Sequence, residues 1–270
     1  MHLRVICSPA LRAGASVANH AGEVSLKDRV APLKPFGTVR NISKLSLLLY
    51  GRLFTCLLVY LYTYTMFITL EGPEGSGKTS HVPYLVEYLR EKGYTVFPTR
   101  EPGGTSIGEQ IREVIHDLKN VEMHPRTETL LYQAARAQIV EQVIKPRLKA
   151  GEVVISDRYY DSTIAYQGYG HQQDLEQVRT LVKYATGGLV PDLTVLLDVD
   201  IEEGLGRKKK DNEWNRLDAY TVEFHHRVRA GYLEMVNQEP NRWVIVDAGQ
   251  KWDAVQEELR MVSLGRLKTK

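Results

Sequence analysis

Past Met66 the chain alternates short apolar runs with longer stretches in which apolar residues recur three and four positions apart. The runs are FITLEG (67–72), YTVFPT (94–99), EVVISD (152–157), DLTVLLDV (192–199) and RWVIVDA (242–248). Runs of this length and composition predict strands covered on both faces. Between them, Lys78 to Lys92, Glu128 to Lys149, Asp174 to Ala185 and Val222 to Val236 carry the spacing of helices packed on a sheet. Such alternation, with no internal repeat and no Pro/Gly/Ser linker, predicts one doubly wound α/β domain over 66–270. Its sheet is expected to be five-stranded and parallel, with helices on both faces.

Residues 1–65 stand apart. They hold eight Lys/Arg and two acids, a net of +6, whereas 66–270 holds 27 bases against 31 acids, a net of −4. The chain's overall +2 therefore comes from this leader, and it gives no ground for a nucleic-acid partner. Both cysteines, Cys7 and Cys56, also lie in the leader, so the remainder has no thiol to pair or to bind metal and needs no oxidising compartment. Leu53 to Leu70 is free of charge, but its last four residues belong to the first predicted strand. Leu53 to Thr65 alone is too short for a bilayer core of about 30 Å. Three readings of 1–65 remain: an anchor or targeting segment, a disordered arm, or translated sequence upstream of a true start at Met66. The last is favoured, which sets the leader outside the fold and leaves no membrane partner expected for 66–270. At 43% hydrophobic and 25% charged residues, the chain is excluded from the wholly disordered and fibrous classes.

Chemistry enters directly after the first strand. Gly72-Pro73-Glu74-Gly75-Ser76-Gly77-Lys78-Thr79 fits G-x-x-x-x-G-K-[ST], a pattern that arises by chance in on the order of one chain of this length in a hundred. Glycines let backbone N–H groups converge on a phosphate, and the following helix N-terminus adds positive potential. Lys78 is expected to reach the β/γ-phosphates and Thr79 to ligate Mg²⁺, with Ser80 closing the nucleotide-binding set. The alternative is a glycine-rich turn with no ligand. Pro83 is expected to delete a bond to Thr79 and bend the helix. The third strand ends in Asp157-Arg158 at the sheet's carboxyl edge, where open α/β sheets bind ligands. There Asp157 can hold Mg²⁺ directly or through water, or simply cap the loop, and Arg158 can hold a phosphate. Arg100, in TREPGGT, follows the second strand, and Arg136 lies one helical turn after Tyr132. Unit charges ~5 Å apart at an effective dielectric of ~20 repel by about 3 kcal/mol. Two phosphorylated ligands held end to end would therefore need this many cations.

These segments together resemble the thymidylate kinase family: GPEGSGKT, TREPGGT, LLYQAARAQIVEQVIKP, SDRYYDSTIAYQG and PDLTVLLDV, spread over essentially all of 66–270. The resemblance implies a P-loop NTPase fold with a short mobile lid, a cytoplasmic homodimer, and Mg²⁺-assisted transfer of the ATP γ-phosphoryl to dTMP, giving dTDP and ADP for dTTP synthesis. It further implies that Tyr132 stacks on thymine, Arg136 bonds the base's carbonyl edge and Thr163 faces its polar edge. Tyr166 would form the wall that excludes a ribose 2′-hydroxyl, with Phe97 and Gln167 lining the same pocket. Arg100 and Arg158 would take the dTMP phosphate, and Glu74 the sugar 3′-hydroxyl. The lid departs from the family. Where relatives with an arginine-free cradle carry several arginines, this chain has Arg207-Lys208-Lys209-Lys210 and then Asn215-Arg216. Lysine lacks the bidentate fork of guanidinium, so Arg207 and Arg216 join Lys78, Asp157 and Arg158 as the expected catalytic set. The alternative for this segment is a solvated basic loop. Two rival functions stay open: a kinase for another nucleotide or nucleoside, and a membrane-tethered nucleotide switch. Guanine-specific switches need an N-K-x-D reader, which the sequence lacks.

Overall fold

Five strands form one parallel sheet in the order β2-β3-β1-β4-β5: β1 Met66–Glu71, β2 Val96–Arg100, β3 Val153–Asp157, β4 Leu193–Asp198 and β5 Trp243–Asp247. The computed structural model describes residues 65–210 and 215–269, all within one compact unit. The expectations placed on the leader fall outside the described residues. All five expected strands are present: β3, β4 and β5 lose a residue at one or both ends, β1 is shifted one residue toward the N-terminus, and β2 starts two residues later and ends one later than expected. Their alternate residues feed two cores. Ile68, Leu70, Val153, Ile155, Val195 and Leu197 pack on one face, and Phe67, Val154 and Leu196 on the other. The three central strands, β1, β3 and β4, read as apolar runs because both their faces are covered.

Eight helices cover the sheet among the described residues: α1 Lys78–Glu91, α2 Ser106–His116, α3 Pro125–Ile139, α4 Tyr160–Thr163, α5 Leu175–Thr186, α6 Ile201–Lys210, α7 Val222–Gln238 and α8 Trp252–Thr269. Helix α3 runs on through a wider turn at Val140–Ile144 to Lys149, and α4 widens over Ile164–Gly170. The first core packs under α1 and α8 through Leu85, Leu89, Val255 and Leu259. The second packs under α3, α5 and α7 through Ile139, Val182, Val228 and Tyr232. Helix α1 passes through Pro83 to Glu91. Thr79 is exposed, so water can reach the carbonyl that Pro83 leaves without a donor.

The register decides what the sheet edge offers. Asp157 sits opposite Leu70 of β1 on one side and Arg100 of β2 on the other. The carboxyl ends of three strands therefore deliver Glu71, Asp157 and Arg100 to one level.

Candidate functional site

The loop from Gly72 to Gly77 joins β1 to α1, and its geometry depends on missing side chains. At Gly75, with φ 70°, an added Cβ would lie 2.0 Å from the Gly204 carbonyl oxygen, and one on Gly204 would lie 2.2 Å from the Glu74 carbonyl oxygen. Two backbones thus touch where the loop crosses α6. Gly77 begins α1 in the left-handed conformation without a side-chain cap, so the first amides of the helix are left for an anion. Lys78 arches back over the loop, donating to the Gly72 and Pro73 carbonyls at 3.0 and 2.8 Å and to Ser76 Oγ at 2.9 Å. Burial, reinforced by nearby Arg158, pulls its ammonium down to about 8.

Next to this loop, Thr79 Oγ1 donates to Asp157 Oδ2 at 2.6 Å. No cluster of three or more His, Cys, Asp or Glu that could hold a metal exists among the described residues. A hydroxyl and a carboxylate side by side are nevertheless the hard-oxygen donors that suit Mg²⁺ when phosphates and water complete its shell.

Loop and sheet edge open into a cleft of about 910 Å³, at the upper end of the range for ligand sites. Arg158, with φ 69°, projects into it and donates to Glu74 Oε1 at 2.8 Å, and Tyr166 Oη donates to the same oxygen at 3.0 Å. Burial alone would raise Glu74, but Arg158 and then Lys78 overcome it and hold the carboxyl at about 2. Beyond this pair the far wall carries Arg100, Tyr132, Thr163 and Gln167. Arg100 pairs with Glu109 at 3.1 Å. Gln167 donates to Glu128 at 2.8 Å.

Three expected ligand contacts lie elsewhere. Phe97 is half-buried under the guanidinium of Arg147, 4.2 Å from its ring centre, because β2 is an edge strand and turns that side chain from the cleft. Arg136 stands one layer behind the wall. It donates to Glu101 at 2.7 Å, Thr163 Oγ1 at 2.8 Å, Gln133 Oε1 at 3.1 Å and the Tyr159 carbonyl at 3.0 Å. Arg216, at the far root of the lid, donates to the buried carboxylate of Glu128 and to the Ile115 carbonyl, away from the cradle. Burial would raise Glu128, but His171 and Arg216 beside it pull the carboxyl down to about 2. Arg207, by contrast, reaches the cradle, donating to the Ala248 and Gly75 carbonyls at 3.0 and 3.3 Å.

The structure also adds cleft residues that pattern reading misses. Arg112 on α2 faces the cleft and donates to the Pro102 carbonyl at 2.9 Å. Beside it is His116, which burial and then Arg112 pull down to about 4, so it is neutral at pH 7. From the lid, Lys208 and Lys210, which the sequence reading names but sets behind the arginines, also line the wall, Lys208 at 3.5 Å from the buried carboxylate of Asp218. For α2 two signals were available: the helix start at Thr105, whose hydroxyl accepts from Gly108 N at 2.9 Å, and Ile107, Ile111 and Ile115 spaced four apart.

An amide cradle on one side and fixed guanidinium groups on the other define a P-loop phosphotransferase with room for a second anion, a nucleoside-monophosphate kinase. The thymidylate kinase family model matches residues 70–259. The chain is 49% identical over 211 residues to the thymidylate kinase of Roseiflexus castenholzii, an alignment covering 73% of this chain and 92% of that one. It is 45% identical to that of Herpetosiphon aurantiacus, over 76% and 98%. A crystal structure of thymidylate kinase from Ehrlichia chaffeensis superposes with a TM-score of 0.60 at 34% identity, covering 74% of this chain and 98% of that one. The chain belongs to the thymidylate kinase family.

Proposed function

We propose that this chain transfers the γ-phosphoryl of ATP to the 5′-phosphate of dTMP, yielding ADP and dTDP on the route to dTTP. The carrying observation is the cleft itself, of about 910 Å³, where the glycine loop and Lys78 meet Arg158, which donates to the Gly72 carbonyl and Glu74, and where Arg100 and Arg112 also line the wall. ATP places its phosphates on the loop amides and Lys78. The dTMP phosphate lies against Arg158, with Arg100 and Arg112 beside it. Tyr132 offers the base a flat aromatic face, and Thr163, held by Arg136, offers its hydroxyl to the base edge. Arg136 thus acts through Thr163. Tyr166 and Glu74 border the sugar, and Arg207, seated at Gly75, is the lid cation that bonds the cradle.

Thr79 and Asp157 would hold Mg²⁺, which supplies charge neutralisation at the β- and γ-phosphates. No general base is needed. A phosphate monoester with a second pKa near ~6 is already mostly dianionic at pH 7, so positioning and electrostatics supply the catalysis.

No helix among the described residues is long and apolar enough to cross a membrane. Exposed Ile107, Val114, Leu118, Val121 and Leu130 give the region of α2 and α3 an apolar surface that suits a second copy in a homodimer.

The test is ADP release by the full chain with ATP, Mg²⁺ and each of dTMP, dUMP, AMP and GMP. Turnover is expected with dTMP, and with dUMP about 10–200-fold less efficiently, since a missing methyl is worth only ~1–3 kcal/mol. Turnover indifferent to dTMP, or faster with AMP or GMP, overturns the reading.

A further inference from the structure

Arg158 holds a backbone conformation, φ 69°, that costs a non-glycine residue about 1–3 kcal/mol and persists only where the surroundings over-determine it. The restraint originates in the last residue of β1. Arg158 N donates to the Leu70 carbonyl at 2.9 Å, and the next amide, Tyr159 N, donates to Glu71 Oε1 at 2.7 Å. The other carboxylate oxygen of Glu71 accepts from Ser162 Oγ at 2.6 Å and from Tyr232 Oη at 2.9 Å. Those two hydroxyl oxygens in turn accept from the Arg158 guanidinium at 3.1 and 3.5 Å. One carboxylate therefore grips the backbone on the C-terminal side of Arg158 and, through two hydroxyls, its guanidinium.

Glu71 is fully buried and forms no part of the cleft wall, so it is not a ligand contact. Nor does such a carboxylate favour the fold: burial, with Asp161 adding to it, pushes the group up to about 7. A costly buried acid one step behind the acceptor-phosphate cation needs a reason other than stability.

Resting on the reading of Arg158 as the acceptor-phosphate cation, we propose that Glu71 is a positioning residue that aims Arg158 at the acceptor phosphate through the Tyr159 amide, Ser162 and Tyr232. Glu71→Leu removes every acceptor at similar volume. Glu71→Gln keeps an acceptor for the Tyr159 amide, and both hydroxyls can rotate to face the new amide group. Tyr232→Phe deletes one hydroxyl alone.

In steady-state kinetics, Glu71→Leu is expected to raise the KM for dTMP about tenfold and Tyr232→Phe about threefold, with the KM for ATP moving less than about twofold in both. Glu71→Gln is expected to restore the dTMP constant to within about threefold of the parent. An unchanged dTMP constant in Glu71→Leu, or ATP and dTMP constants that rise together as a loosened fold would dictate, overturns the proposal. If Glu71→Leu does not fold, the same split in Tyr232→Phe decides. Should the unmodified chain fail to turn over dTMP, the reading of the site falls, but the proposal is still decided by crystal structures. Arg158 is expected to leave the left-handed region in Glu71→Leu and to keep it in Glu71→Gln, and a left-handed Arg158 in Glu71→Leu refutes it.

Discussion

The crossing of two backbones at Gly75 and Gly204 makes a sharp prediction about a residue that touches no ligand. In Gly204→Ala the new methyl would sit 2.2 Å from the Glu74 carbonyl oxygen, and 3.0 Å is the least that real Cβ atoms tolerate. Loop and α6 must therefore part by at least 0.8 Å. Alanine in a helix gains about 1 kcal/mol over glycine, while overpacking costs about 1–3 kcal/mol. The net stability change is a loss of roughly 0–2 kcal/mol, or up to about 8 °C in Tm for a domain of this size. The functional loss is larger, because a cradle displaced by nearly 1 Å forfeits about 10²-fold in kcat/KM for ATP. Gly206 is the internal control. It lies on the same helix with nothing within 4 Å of an added Cβ, so Gly206→Ala is expected to raise Tm by about 2–4 °C and leave turnover unchanged. Differential scanning calorimetry and ATP-dependent kinetics on the two variants settle the matter. If Gly204→Ala keeps kcat/KM for ATP within about threefold of Gly206→Ala, the argument from backbone contact is wrong.

Three further outcomes are expected. Thr79→Val leaves the fold intact but raises the Mg²⁺ concentration for half-maximal turnover about tenfold or more, and a midpoint unchanged in a Mg²⁺ titration removes Thr79 from the metal's shell. Arg216→Gln leaves the buried Glu128 carboxylate without its cation, so urea denaturation should show a loss of about 3–5 kcal/mol, whereas a transition-state cation would lower kcat about 10³-fold with stability kept. For pH dependence, Glu71 ionises near 4.5 when unfolded but near about 7 when folded. Below 4.5 it is protonated in both states and costs nothing, and as pH rises through 7 its contribution falls by about 3 kcal/mol. Urea stability should therefore decline between pH 5 and 8 in the parent and much less in Glu71→Gln, and parallel declines would refute the assignment.

The central strands β1, β3 and β4 were legible because each is an apolar run buried on both faces, and the edge strands β2 and β5, only partly buried, were legible from their β-branched and aromatic residues. The cradle was legible because its glycines, lysine and threonine lie within eight consecutive positions. Helix α6 was not, since IEEGLGRKKK has no apolar stripe. Its support is electrostatic, with Glu202 and Glu203 in the first turn, four basic residues in the last, and Asp200 accepting from Glu202 N at 3.1 Å. Helix α2 hid behind the glycines of TREPGGT, and Arg112 with it. Neither wide turn, at Val140–Ile144 or Ile164–Gly170, leaves a sequence mark, because the extra residue is accommodated by packing.

The arginines show where sequence reading stops and what physical criterion replaces it. Spacing placed Arg100, Arg136, Arg158, Arg207 and Arg216 near strand ends or the lid, but it could not reveal their partners: Glu101 is 35 residues from Arg136, and Glu128 is 88 from Arg216. Side-chain exposure of each ion pair separates the group. Arg136–Glu101 is 1% and 3% exposed, and Arg216–Glu128 is 4% and 0%. A phosphate that drew either guanidinium away would strand a buried carboxylate at a cost of about 3–5 kcal/mol. Arg100–Glu109 and Arg207–Glu203 are each at least 35% exposed on both sides, where a pair is worth about 0.2–1 kcal/mol and a phosphate can displace the acid at little cost. Arg158–Glu74, at 16% and 12%, lies between, yet both partners line the cleft. A ligand there can meet the guanidinium with its phosphate and leave the carboxylate to accept from a hydroxyl. Framework and ligand-binding arginines thus differ in what each would leave behind on moving, and by that measure Arg100, Arg158 and Arg207 are free to meet phosphate while Arg136 and Arg216 hold the walls.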